Sequence, residues 1–325
     1  MKKKYLITGG AGFIGSHLAE RLLIDGNIVT IVDDLSTGKI DNLISIIDNP
    51  NLKIIIDSVL NESVLERIIR ETDEIFHLAS SVGVQLIMNN PVHTIENIFQ
   101  GTAVVFKYAA RYRKKVLLTS TSEVYGKSKD IPFKEDGDRV EGATTMHRWA
   151  YANAKALDEF LALAYFKTAA LPVVVVRLFN TVGPRQSADY GMVIPKMIGA
   201  SIRDKQIQVY GDGLQSRCFC HVKDVIDALC LLMNNKKSEG EVINVGSNQE
   251  ISMIDLAKKI KEKSPVESEI ILVPYEKIYP NGGFEDMRRR VPSIEKIYDQ
   301  INWKPKASID HIIDDVFYHI QSPKY

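Results

Sequence analysis

Thr121, Glu123, Tyr151 and Lys155 place a hydroxyl, a carboxylate, a phenol and an ammonium in two short runs, Ser120-Thr121-Ser122-Glu123-Val124-Tyr125-Gly126 and Arg148-Trp149-Ala150-Tyr151-Ala152-Asn153-Ala154-Lys155. These are parts for moving a hydride and protons. Tyr151 and Lys155 are spaced i, i+4, so on a helix both side chains leave the same face. A lysine there can stabilise the tyrosinate and lower the phenol's pKa toward the working pH, which suits Tyr151 to general-base duty. Taken alone, Tyr-x-x-x-Lys is commonplace surface chemistry, so the reading depends on the elements that hold it.

The second chemistry-bearing run is Thr8-Gly9-Gly10-Ala11-Gly12-Phe13-Ile14-Gly15-Ser16-His17, set between a short apolar strand and an apolar-periodic helix. Gly10, Gly12 and Gly15 satisfy G-x-G-x-x-G, and Gly9, Gly12 and Gly15 satisfy a three-residue spacing. Such a turn lets backbone amides and the helix N-terminus at Phe13 and Ile14 face a pyrophosphate without Cβ atoms in the way. Asp33 ends the next strand, where a carboxylate accepts hydrogen bonds from an adenosine ribose. Asp33 and Asp34, with no arginine beside them, would repel a 2′-phosphate, so NAD is expected rather than NADP. The alternative is that both aspartates only begin the following turn. Asp57 and Ala79 fall in loops at the carboxyl ends of the third and fourth strands, the edge where ligands bind in such sheets.

The elements that must position these groups are legible as an alternation. Short β-branched runs are expected as strands over Lys4 to Thr8, Ile28 to Asp33, Leu52 to Ile56, Glu74 to Leu78, Val116 to Ser120 and Val173 to Leu178. Amphipathic runs between them predict helices near Phe13 to Ile24, Ser63 to Arg70, Val92 to Arg111 and Ala150 to Thr168. The pattern is α/β, a Rossmann-type doubly wound parallel sheet. Beyond Leu178 glycine, proline and shorter elements take over, with helices near Ile194 to Arg203, Val222 to Asn234, Met253 to Lys263 and Ser308 to Ile320. The expected organisation is a dinucleotide-binding domain over 1–178, with later segments returning to it, and a smaller C-terminal α/β substrate lobe over 179–325.

Composition excludes several classes. The 325 residues carry 41 basic and 41 acidic side chains, so no net field steers nucleic acid or an anionic membrane, and a small-molecule partner is expected. Three cysteines argue against a secreted disulfide framework. The Lys2 to Lys4 run leads into too short an apolar stretch for a signal peptide, and no stretch approaches a membrane span, so the expected location is the cytoplasm. The helix from Ala150 is apolar on more than one face, which predicts packing on the sheet and also on a second subunit. An inserted segment of the same chain is the alternative cover. Cys218-x-Cys220-His221 lacks a distant matching pair and reads as strand alternation, so no metal is expected. The long stretch from Lys127 to His147 beside the site is expected to act as a substrate-gripping lid.

Taken together, Thr8 to Gly15, His77-Leu78-Ala79, Thr121 to Gly126, Tyr151 to Lys155, Arg177-Leu178-Phe179-Asn180, Gly183-Pro184-Arg185 and Val209-Tyr210-Gly211-Asp212-Gly213 resemble the short-chain dehydrogenase/reductase superfamily, in its extended nucleotide-sugar branch. The resemblance covers nearly the whole chain. It implies an NAD-dependent enzyme on a nucleotide sugar, with a UDP-sugar first in line. It also implies a homodimer through the helices near 92–111 and 150–168. By resemblance, Thr121 hydrogen-bonds the sugar 4-hydroxyl, Tyr151 takes its proton, Lys155 orients tyrosine and cofactor, and the C4 hydride goes to NAD.

Glu123 and Arg148 bear on the step after that oxidation. Simple 4-epimerases of the branch often carry a small or apolar residue where Glu123 stands, whereas a carboxylate suits proton chemistry at C5. Arg-x-x-Tyr with Glu-Val-Tyr-Gly is similar to the UDP-glucuronate decarboxylase group. There a guanidinium three residues before the tyrosine could hold the sugar carboxylate. A 4-epimerase and a 4,6-dehydratase are the alternatives; Arg148 could instead cap a helix edge, and Glu123 could be structural. The resemblance further implies substrate contacts from Ser122, Asn180, Tyr210, Arg217 and Arg290. Arg288 and Arg289 are expected to face solvent.

Overall fold

The computed structural model describes residues 2–80, 91–146, 149–188, 192–203, 205–278 and 287–322. Its centre is a seven-stranded sheet built from β1 (Lys4–Thr8), β2 (Ile28–Asp33), β3 (Leu52–Ile56), β4 (Glu74–His77), β5 (Lys115–Thr121), β6 (Val173–Leu178) and a late-returning β11 (Glu241–Val245). The order is β11-β6-β5-β4-β1-β2-β3 and every pairing is parallel. A sheet covered on both faces needs continuous apolar strands, and β6 supplies one: Val173, Val174, Val175 and Val176 all have no exposed surface. Each such side chain contributes about 1.5–3 kcal/mol of burial.

Because successive strand residues point to opposite faces, neighbours in sequence enter different cores. Ile7, Val29 and Ile31 meet α1 (Phe13–Ile24) and the later α6 (Val222–Asn234) through Leu18, Leu22, Val225 and Leu229. Leu6, Val32 and Ile75 face the other way, onto Leu65, Val105, Phe106 and Ala162 of α2 (Glu62–Glu71), α3 (Pro91–Tyr112) and α4 (Ala150–Ala169). The first four helices and six strands fall within a residue or two of the ranges read from the sequence.

A third core joins α5 (Val193–Ile202), β8 (Ile207–Tyr210), α7 (Met253–Lys263) and α10 (Ile309–Gln321) through Ile194, Ile198, Val209, Leu256, Ile260, Ile312 and Val316. Short pairs complete this part: β7 (Thr181–Val182) with β10 (Cys220–His221), β9 (Ser216–Cys218) with β12 (Glu250–Ser252), and β8 with β13 (Ile270–Val273). Two short helices, α8 (Tyr275–Ile278) and α9 (Glu295–Ile301), link the remaining segments. The α10 start is capped by Ser308, whose hydroxyl accepts from the His311 amide at 3.2 Å.

Expected as a substrate-gripping lid, the stretch from Lys127 to His147 is described up to Met146. Its middle is pinned: Phe133 is 2% exposed and stacks on Tyr125 at 4.7 Å, and its backbone bonds to Val291 and Ser293, each at 2.8 Å. Asn244 of β11 donates to the Phe133 carbonyl at 3.0 Å and takes the Tyr125 hydroxyl at 2.8 Å. An aromatic buried this way anchors the segment as part of the core beneath the site. The last residue of that stretch, His147, and Arg148 after it lie outside the described residues.

Candidate active site

The dinucleotide loop forms as its glycines require. Gly9 sits at φ +73°, a left-handed conformation costly for any residue with a Cβ, and a Cβ there would also meet the Ala79 amide nitrogen at 2.8 Å. A Cβ on Gly15 would lie 2.2 Å from the Gly9 carbonyl oxygen, so the first turn of α1 can close over the loop only with glycine. Gly12 is the N-cap and offers no side chain, which leaves the amides at the helix start uncovered, while Phe13 and Ile14 pack on the core behind them. This cradle fits a pyrophosphate.

Asp33 closes β2 beside it, with Oδ2 accepting from the Ala11 amide at 2.9 Å and Oδ1 from Leu35 at 2.9 Å. Burial pushes its carboxyl up, while the Leu35 and Ala11 amides pull it back. Asp34 instead takes the Ser36 amide at 2.9 Å in an exposed turn. Asp57 follows β3 and bonds Ser58 and Asn61 at 2.7 and 3.0 Å. Its amide reaches the Asp33 carbonyl at 3.1 Å, so the two acids share one edge of the sheet. The Ala79 amide bonds Thr8 Oγ1 at 3.3 Å. Glycines, aspartates and Ala79 are thus gathered at the carboxyl ends of adjacent strands.

Thr121 ends β5 and accepts the Glu123 amide at 3.2 Å, which starts a single 3-10 turn over Ser122–Tyr125. That turn aims Glu123 back toward α4, where Tyr151 and Lys155 occupy the inner face. Lys155 is 2% exposed and donates to Asp158 Oδ2 at 3.0 Å, one turn further along the same helix. Ser122 is buried at the first position of the turn, 2% exposed.

The electrostatics of the tyrosine differ from the expectation. Burial pushes the Tyr151 phenol well above its ordinary pKa, and the Glu123 carboxylate adds to the rise. The Thr121 and Ser80 hydroxyls act in the opposite sense, and Asp158 raises it further. Lys155, placed four residues after Tyr151 on the same helix, spends one hydrogen bond on Asp158. That acid was not singled out from the sequence. An acidic residue three places after a lysine reads as an exposed i, i+3 pair, whereas Asp158 has no exposed surface.

Arg290 reaches the site from the far end of the chain. Its Nη1 pairs with Glu123 Oε1 and its Nη2 with Asn180 Oδ1, and both members of the ion pair are largely buried. Asn180 Nδ2 in turn donates to the Cys218 carbonyl at 3.0 Å, which ties the cluster to β9. Arg217 on β9 is buried, with Nη1 on the Ser216 carbonyl at 2.7 Å. Tyr210 ends β8, its hydroxyl bonded by Lys196 Nζ, a cation the sequence reading missed because it sits amid an apolar helix. Arg288 and Arg289 turn outward to Asp212 and Glu250, at 2.8 and 2.6 Å. Arg148 lies outside the described residues. Among the described residues no group of three His, Cys, Asp or Glu side chains could hold a metal. Burial pushes the Cys218 thiol up to about 12.

A parallel doubly wound sheet with a glycine loop at its carboxyl edge, facing a Thr-Tyr-Lys group, defines a dinucleotide-dependent α/β protein. A family model described as GDP-mannose 4,6 dehydratase matches residues 6–316. A UDP-N-acetyl-alpha-D-glucosaminuronate decarboxylase of Bacillus cytotoxicus is 43% identical over 309 residues, 95% of this chain and 94% of that one. UDP-glucuronic acid decarboxylase 1 of Arabidopsis thaliana is 36% identical over 94% of this chain and 67% of its own length. Among solved structures, the UDP-glucuronic acid 4-epimerase of Bacillus cereus, in complex with UDP-glucuronic acid and NAD, superposes with a TM-score of 0.88. It is 26% identical, with 98% of this chain and 99% of that one covered. The chain belongs to the GDP-mannose 4,6 dehydratase family of extended short-chain dehydrogenase/reductases.

Proposed function

We propose that this chain is an NAD-dependent nucleotide-sugar decarboxylase that oxidises a UDP-hexuronate at C4 and releases the C5 carboxylate as carbon dioxide. The observation that carries the reading is the buried Glu123–Arg290 pair, joined to Asn180 and set beside Thr121 and Tyr151. Exchange of configuration at C4 needs only the Thr-Tyr-Lys group. A carboxylate and a guanidinium next to it supply what chemistry at C5 needs: a planar fork for a sugar carboxylate and a group to manage the proton that replaces it. The decarboxylases at 43% and 36% identity support the same assignment.

In this mechanism Thr121 and Tyr151 hold the 4-hydroxyl, and Tyr151 accepts its proton. NAD, when bound at the glycine loop and Asp33, would supply the hydride acceptor. Lys155 orients the tyrosine, and Arg290, released from Glu123, fixes the sugar carboxylate. With C4 a ketone, the C5–carboxylate bond breaks, its electron pair forms an enolate, a proton then returns to C5, and C4 is reduced again as the hydride comes back and Tyr151 returns its proton to the oxygen. Asn180, Arg217 and Tyr210 line the approach for the nucleotide part, and Asp33, Asp57 and Ala79 the approach for the adenosine and nicotinamide parts. Ser122 shapes the turn that presents Glu123, and Arg148 would add a second guanidinium three residues before Tyr151.

A homodimer through α3 and α4 is part of the proposal. On α4 Leu157 and Phe160 are 47% and 65% exposed, and on α3 Val92 and Ile95 are 66% and 43% exposed. An apolar stripe on two adjacent helices fits a second copy. Among the described residues no helix is long and apolar enough to cross a membrane.

The test is incubation of the NAD-loaded protein with UDP-glucuronate and, separately, with UDP-N-acetylglucosaminuronate, followed by carbon dioxide trapping and mass spectrometry of the nucleotide product. The expected result is loss of one carbon dioxide from at least one of them without net NADH. Interconversion of C4 epimers at unchanged mass would assign the chain to the epimerases, and loss of water to the dehydratases.

A further inference from the structure

A buried ion pair lies beneath the strand end that carries Thr121, outside the catalytic group already described. Ser120 and Arg177 are register partners on the parallel strands β5 and β6, so their side chains leave the same face of the sheet. Both meet Glu159 of α4 there. The Ser120 hydroxyl donates to Glu159 Oε1, and Arg177 forks onto the same carboxylate, with Nε on Oε1 at 3.0 Å and Nη2 on Oε2 at 2.8 Å. Arg177 Nη1 donates to the Glu135 carbonyl at 3.1 Å, in the pinned stretch, and the guanidinium lies over the Tyr125 ring at 4.7 Å. Ser120, Glu159 and Arg177 are 4%, 5% and 6% exposed. Tyr151, Lys155 and Glu159 recur at i, i+4 and i+8 along α4, so the carboxylate stands about two turns from the phenol on the same helix.

A buried ion pair is a poor way to hold a core together, since the cost of taking two charges out of water can exceed their attraction. What it supplies, and apolar side chains do not, is direction: hydrogen bonds of fixed geometry from two strands converge on one carboxylate of the catalytic helix. We propose that Glu159 is a positioning residue for the C4 oxidation: through Ser120 and Arg177 it fixes α4 against the end of β5 and thereby sets the separation of the Thr121 and Tyr151 hydroxyls. Thr121 follows Ser120 directly, so a strand end free to shift against α4 would carry Thr121 with it. A misplacement of about 1 Å at such a pair costs about 10²-fold in rate. The proposal rests on the reading of Thr121 and Tyr151 as the groups that hold the sugar 4-hydroxyl.

The experiment reads NADH formed in a single turnover when the NAD-loaded protein, in excess, is mixed with UDP-glucuronate, UDP-N-acetylglucosaminuronate or UDP-glucose. Ser120→Ala removes one bond to Glu159 and leaves the ion pair in place. Its rate of NADH formation at saturation is expected to fall about tenfold, with the half-saturating concentration and the urea midpoint unchanged. In a Thr121→Ala background the same substitution is expected to have no further effect, because the group it misplaces is gone. Glu159→Met/Arg177→Met exchanges the ion pair for apolar side chains of similar size. That double variant is expected to keep or raise the urea midpoint and to lose about 10–10²-fold in rate. A wild-type rate in either variant would overturn the proposal. An equal loss from Ser120→Ala in both backgrounds would mark a structural role and overturn it too. If the double variant does not fold, Ser120→Ala and its Thr121→Ala background decide alone. A wild type that forms no NADH with any of the three sugars would remove the reading of Thr121 and Tyr151 and this proposal with it. NADH without carbon dioxide release would defeat only the proposed decarboxylation and leave this result standing.

Discussion

Glu123 and Arg290 show how two residues far apart in sequence acquire a joint role only through contact. The pair is largely shielded from water, so its charges act on neighbours more strongly than a surface pair would. Glu123 already raises the Tyr151 phenol, and releasing Arg290 to a substrate would strengthen that influence. Under the proposed reaction Glu123→Gln is expected to lower kcat for carbon dioxide release by about 10²–10⁴, the range of a lost acid or base. Single-turnover mixing with UDP-glucuronate would check it: NADH should still appear while carbon dioxide does not. A variant that keeps the wild-type rate of release would make Glu123 a structural residue.

Among the elements, the pinned stretch after Gly126 matters because it supports the 3-10 turn from below. Tyr125, the last residue of that turn, stacks on Phe133, faces Phe179 at 6.2 Å, and bonds Asn244 on β11. Beside it Arg177 carries its charge over the Tyr125 ring at 4.7 Å and pairs with Glu159 of α4 at 2.8 Å. The turn that aims Glu123 is therefore clamped between β6, α4 and β11. Phe133→Ala removes the stacked ring and leaves a cavity worth about 3–5 kcal/mol. The expected outcome is a lower midpoint in urea unfolding, together with weaker catalysis from a loosened Glu123. Unfolding unchanged within about 0.5 kcal/mol would show that the Phe133 anchor contributes nothing to the fold.

At the scale of the molecule, the exposed stripe on α3 and α4 and the catalytic face of α4 are two sides of one helix. Dimer formation would stiffen the helix that carries Tyr151, Lys155 and Asp158. Phe160→Glu puts a charge into the middle of the stripe, at a residue 65% exposed in the single chain, so the fold should tolerate it. Sedimentation equilibrium is expected to give twice the chain mass for wild type and the chain mass for the variant. A wild type that sediments as a single chain would end the dimer proposal.

Local sequence was enough to specify the parallel sheet, the first four helices and the dinucleotide loop. Each is written in β-branched runs, in helical periodicity, and in glycines that no other residue can replace at Gly9 and Gly15. It also placed Thr121, Tyr151 and Lys155 at one edge, because strand ends and i, i+4 spacing are local facts. A return of later segments to the first domain was expected, but which one forms the edge strand was not legible. Glu241–Val245 is short, and its Asn244 reads as a loop residue until Tyr125 and Phe133 are seen to bond it. Contacts in three dimensions set the rest: the partner of Lys155, the inward turn of Arg290 beside two outward arginines, and the direction of the Tyr151 shift. These depend on burial and on charges brought together over long stretches of chain, 110 residues in the case of Arg290 and Asn180. No local pattern encodes such meetings, since the energy of a charge is set by what surrounds it and not by what precedes it.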